Sequence, residues 1–166
     1  MRPIQFAFEL ETSLSRQIET LHDTATTGTV PIPVLGLIKN SQTEFLKLLS
    51  ALNTGESDSV RYPAVTETQL LGSDAVWQQT TQNTTAANAC LQELTALLSI
   101  YITIDKCVQF YQQAAVNSAQ PQARLFFSSL SHVKKILRRR LDGIIQIYYN
   151  YYWGELGFAP FILGKD

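Results

Sequence analysis

The feature that most constrains this chain is a hydrophobic seam over 90–115. Cys90, Leu94, Leu97, Tyr101, Ile104, Val108, Tyr111 and Ala115 recur at alternating steps of four and three. That alternation holds one stripe of a helix against a partner, as in a helical bundle. It predicts a helix over 85–117. Ser118-Ala119-Gln120-Pro121 leaves room only for a short turn, so the next helix must return antiparallel. This helix is expected over 121–152, with Phe126, Leu130, Val133, Leu137, Leu141, Ile144, Tyr148 and Tyr151 inward and Gly154 as its stop.

The first half repeats the pattern. Ala7, Leu10, Leu14, Ile18, Leu21 and Ala25 step by three or four and predict a helix over 4–26, stopped by Thr26-Thr27-Gly28. Val34, Leu37, Ser41, Phe45, Leu48 and Leu52 predict a second over 33–53. Pro33 suits its first turn, where the missing N–H has no partner to lose, and Thr54-Gly55 closes it. Between the two pairs, 54–84 is rich in Ser, Thr, Gly and Gln, with Pro63 and a few apolar residues, Val65, Leu70, Leu71 and Trp77. A connection of this length is expected to cross over the outside of the domain. Asn83-Thr84-Thr85 matches a glycosylation sequon and is read as the start of the third helix.

Two helix pairs joined by one long crossover make an all-α four-helix bundle, and the ferritin-like layout is the one with a single long connection. One domain over 1–166 is expected, with an apolar tail at 153–166 that needs cover.

Charge excludes some classes. The net charge is −1, so no global field favours nucleic acid or acidic lipid. The first half carries nine acids and five bases, the second five acids and eight bases. No apolar run reaches the roughly 20 residues that span a bilayer, and the first residues lack the apolar stretch of a signal peptide. Cys90 and Cys107 would lie about 25 Å apart on a straight helix, too far to pair. Two reduced thiols fit a cytoplasmic protein.

Residues 104–137, IDKCVQFYQQAAVNSAQPQARLFFSSLSHVKKIL, resemble the second helix pair of rubrerythrin-like members of the ferritin-like superfamily. Phe110-Tyr111, Ala114, Pro121 and Leu130 stand in that family's register without a gap. The resemblance covers about a fifth of the chain and implies the fold. The family's chemistry rests on Glu and His side chains that converge from four helices on two irons. Its expected ligands fall here on Ile104, Lys134 and Leu137. Ile and Leu cannot donate to a metal, and a protonated Lys repels one. In the first half Glu11 lies on the inward stripe and Glu44 flanks the second stripe, with Lys47 rather than His three residues on. Glu11 and Glu44 are the candidate residual carboxylates. No metal and no cofactor are assigned.

Five of the thirteen basic residues crowd into 134–140. Lys134 sits at the edge of the inward face. It either snorkels, with its stem on the core and its amine in water, or pairs with Glu11 or Glu44 at the old metal position. Lys135, Arg138 and Arg139 fall on the outer face and Arg140 near its flank; they form a solvated face or contact an anion, with Lys135, Arg138 and Arg139 as its contacts. His22 and His132 stand on different helices without ligand spacing. Tyr148, Tyr149, Tyr151, Tyr152, Trp153, Phe158 and Phe161 cluster near the C-terminus. Either the tail folds over them, or Tyr149, Tyr152, Trp153 and Phe158 form a homodimer interface.

The reading is a non-catalytic binding or structural protein on a ferritin-like bundle with its di-iron site lost. The first alternative is an iron- or manganese-binding rubrerythrin-like oxidoreductase or stress protein with an atypical residual site. The second is a helical protein that associates with an anion or nucleic acid through 134–140.

Overall fold

The computed structural model describes residues 2–28, 33–54, 60–85 and 91–155. They form six helices and, among the described residues, no strand: α1 Pro3–Gly28, α2 Pro33–Asn53, α3 Glu67–Leu71, α4 Asp74–Gln82, α5 Leu91–Asn117 and α6 Pro121–Glu155. The expectations at Cys90, Phe158 and Phe161, and for the side chain of Ala25, lie outside the described residues.

Three of the four long helices, α1, α2 and α6, begin on proline. Its fixed φ suits the first turn, and its lack of an N–H removes a donor that would have no partner there. At the other end of the turn between α5 and α6, Arg124 Nε donates to Ser118 O at 2.9 Å and Nη2 donates to Ala119 O at 3.3 Å. These bonds take up the carbonyls of Ser118 and Ala119, turn residues that follow the end of α5 at Asn117.

α5 and α6 are antiparallel, because Asp105 meets Arg138 while Tyr111 stacks on Phe127. α1 runs antiparallel to α5: Phe6 packs on Phe110, and Thr103 Oγ1 donates to Gln17 Oε1. α1 also packs along α2. One continuous core results, including Leu14, Ile18, Ile38, Phe45, Leu97, Ile104, Leu130, Leu137 and Ile144.

The crossover holds two short helices that sequence periodicity did not reveal. Five and nine residues are too few to display a 3.6-residue repeat. Local chemistry sets them instead. Thr66 caps α3 by accepting from Gln69 N at 3.3 Å, in the Thr-x-x-Gln spacing of a capping box. Gly72, at φ 74°, turns the chain into α4 in the region that glycine adopts without strain. Trp77 is buried, and its indole donates to Leu71 O at 2.6 Å. The crossover helices pack against α2 and α6. Tyr62 sits 5.1 Å from the Phe126 ring, and Arg140 Nη2 reaches Glu67 and Asp74 at 2.8 Å each.

Several boundaries and faces differ from expectation. Asn83 closes α4, its N–H donating to Gln79 O, rather than opening the third helix; Thr84 and Thr85 lie outside any helix. α6 continues through Gly154 to Glu155, since glycine weakens a helix without ending it unless a cap forms. On α2 the buried face is Val34, Leu35, Ile38, Ser41, Gln42, Phe45 and Leu49; Leu37, Leu48 and Leu52 are only half-buried. α5 buries Ile100, Cys107 and Ala114 beside its seam, while Tyr101 and Ala115 are half-buried. A helix touching two neighbours buries a broader arc than a two-helix seam.

Candidate functional site

At the centre of the core, α1, α2, α5 and α6 each contribute one polar side chain to a single cluster. Glu11, Gln42, Tyr111 and Lys134 are at most 1% exposed. Lys134 Nζ donates to Glu11 Oε2 at 2.8 Å, and Gln42 Nε2 donates to the same oxygen at 2.6 Å. Tyr111 OH donates to Glu11 Oε1 at 2.6 Å. Gln42 Nε2 also reaches the backbone oxygen of Glu11 at 2.9 Å, and its Oε1 accepts from Lys134 Nζ at 3.2 Å. The Lys134 amine lies 3.9 Å from the centre of the Phe45 ring, a cation–π contact.

The arrangement meets what burial of charge demands. A desolvated carboxylate and ammonium must be paired, and their remaining lone pairs and protons must be bonded. Both oxygens of Glu11 are taken, and the amide of Gln42 bridges its two partners. The snorkelling alternative for Lys134 does not occur: the whole side chain is buried, because Glu11 supplies inside the core the partner that water would supply outside.

The negative charge has consequences for its neighbours. The Tyr111 hydroxyl is pushed well up from its ordinary value, first by burial and then by the Glu11 carboxylate. Cys107, one turn earlier on α5, is buried, and its thiol is pushed up to about 12. Burial is the largest cause and Glu11 adds to it, while Lys134 acts the other way. A thiol so protonated is a small hydrophobe rather than a nucleophile.

The donor set does not fit the di-iron centre that the ferritin-like resemblance implies. Two irons need several carboxylates and imidazoles around them. Here one carboxylate faces an ammonium, an amide, a phenol and a thiol. Among the described residues no three His, Cys, Asp or Glu side chains gather. Ile104 and Leu137, one turn from Cys107 and from Lys134, are buried apolar core.

The other candidates are dispersed. Glu44 does not join Glu11; it faces outward and accepts from Lys47 Nζ at 2.7 Å, one turn along α2. The rotation of α2 that buries Gln42 turns Glu44 away. His22 is half-buried, 3.7 Å from Asp23, and His132 is exposed. The basic run is broken up by partners: Arg138 pairs with Asp105, and Arg140 pairs with Glu67 and Asp74 while lying 5.1 Å from the Trp77 ring. Lys135 is half-buried and Arg139 exposed. Tyr149, Tyr152 and Trp153 are half-buried; Tyr149 and Tyr152 pack against the chain's own core.

Sequence reasoning missed Gln42 and passed over Cys107. A signal for Gln42 was present: it continues Ile38 at a step of four and precedes Phe45 by three, so it is a polar residue on an apolar stripe. No family model matches the chain, and neither a curated protein nor a solved structure matches it.

Proposed function

We propose that the chain is a ferritin-like four-helix bundle, two antiparallel helix pairs joined by a long crossover, that has lost its di-iron site and serves as a binding or structural protein. The observation that carries this reading is the Lys134–Glu11 pair at 2.8 Å. In the rubrerythrin-like register Lys134 stands where a metal-binding Glu is expected. Its ammonium brings to Glu11 the positive charge that a metal would otherwise bring. The packing order, α1 on α2, α5 on α6 and α1 on α5, with the crossover helices against α2 and α6, supports the layout.

Metal analysis of protein purified without chelator, paired with anomalous scattering from crystals, tests the proposal. Iron and manganese well below one per chain are expected. A stoichiometric content of either, located at the core, would overturn it.

A further inference from the structure

The central cluster holds an amine, a carboxamide and a carboxylate in reactive order. Lys134 Nζ touches the carbonyl oxygen of Gln42 at 3.2 Å. Glu11 Oε2 lies 2.8 Å from that amine and 2.6 Å from Gln42 Nε2. One carboxylate oxygen therefore stands between a nitrogen that must lose protons to attack and a nitrogen that must gain one to leave. That is the position of a general acid–base in acyl transfer. We infer that Lys134 and Gln42 join in an intramolecular isopeptide bond, with Glu11 carrying the protons.

The step balances. Glu11 Oε2 takes a proton from the Lys134 ammonium, leaving a neutral amine. The amine attacks Gln42 Cδ, a C–N bond forms, and the carbonyl pair moves onto Oε1. Glu11 then gives its proton to Nε2 and takes a second from the new C–N nitrogen. The C–Nε2 bond breaks as the pair on Oε1 returns, and ammonia leaves. Lys134 and Gln42 end as a secondary amide and Glu11 ends protonated; nothing is oxidised or reduced, and no co-reactant is consumed.

Two properties of the site favour the reaction. The groups are held in contact by the fold, and oriented groups in one molecule reach effective concentrations of about 10⁵ M or more. Glu11, Gln42 and Lys134 are closed to solvent, so water does not compete as the nucleophile. The product would tether α2 to α6 across 92 residues of chain, which restricts the unfolded ensemble as any long covalent loop does. The inference needs only the three side chains; the Lys134–Glu11 ion pair that supports the proposed function is the state before the bond forms, and the bond replaces it with a neutral amide beside a protonated Glu11.

Intact mass of the full chain under denaturing conditions reads the bond directly. The expected mass is below that of the sequence by one ammonia, and tandem spectra after trypsin should show the Gln42 peptide linked through Lys134. Lys134→Arg and Glu11→Gln should both restore the full mass. Full mass in the wild type after prolonged incubation would overturn the proposal. So would an ammonia deficit that persists in Lys134→Arg, or conversion of Gln42 to Glu without a link. If either variant fails to fold, the linked peptide from the wild type decides alone.

Discussion

Lys134 Nζ lies 2.8 Å from Glu11 Oε2, and neither side chain has any exposure, although 123 residues separate them in the chain. The pair joins the first helix to the last through the middle of the core. Each member makes the other's burial tolerable, and neither is tolerable alone.

Lys134→Met should therefore be costly. In the unlinked chain it leaves Glu11 buried without a cation, and loss of one partner of a buried pair costs roughly 3–5 kcal/mol. Adding Glu11→Leu should recover much of the loss, because an apolar pair of similar volume removes both desolvation penalties. Urea unfolding of the two variants against wild type of full intact mass measures both effects.

Tyr111 and Cys107 make stability depend on alkaline pH. Both groups are raised in the folded chain, Tyr111 above 10.0 and Cys107 from 9.0 to about 12. The unfolded chain releases these protons first, so the stabilising contribution is full below pH 9 and lost as pH rises. The slope should reach about 1.4 kcal/mol per pH unit for each group. Tyr111→Phe should remove its share of the slope above pH 10. It should also lower stability at neutral pH by roughly 1.5–3 kcal/mol, the loss of a hydrogen bond to a charged group.

The Cys107 thiol should resist alkylation in the folded protein at pH 8. It is buried and held protonated, whereas the reagent needs an exposed thiolate. Pulsed labelling followed by peptide mapping should show Cys107 modified only at the rate of unfolding. Labelling as fast as that of a free thiol would contradict the burial.

Arg140 fastens the crossover. Its guanidinium bridges Glu67 and Asp74 and lies near the Trp77 ring. Arg140→Ala should cost about 1 kcal/mol in global stability, as expected of partly exposed ion pairs. Its larger effect should be local: faster amide exchange over 67–82, with little change at the Glu11 cluster.

The basic run should bind nucleic acid weakly. Lys134 is inside the core, while Arg138 and Arg140 already hold acidic partners. Lys135 and Arg139 remain as phosphate contacts, and two contacts give a salt slope of only about −2 on logarithmic axes. Fluorescence anisotropy with a labelled duplex at physiological salt should show no saturable binding below micromolar concentration.

Much of this was legible in the residues. The four-and-three seam marked α5, the short Ser118–Pro121 turn fixed its hairpin with α6, and Glu11 on an apolar stripe marked an inward carboxylate. α3 and α4 were not legible, because their few residues are held by a cap, one glycine and one buried indole rather than by a repeat. Gln42 was hidden for a related reason. Ser41 and Gln42 are adjacent and both buried, and the apolar pattern of α2 admits two stripes that differ by a small rotation. Glu44 flanks the stripe as its position implied, and the same rotation keeps it away from Glu11.

The amino-acid sequence by itself determined the four long helices, their hairpin order and the presence of charge on inward faces. Those follow from period, turn length and residue type, which are properties of neighbouring positions. Which polar groups meet was decided only by the tertiary structure. Bringing Glu11, Gln42, Tyr111 and Lys134 within hydrogen-bond reach depends on how four helices rotate and cross, and that is set by close packing of the whole core.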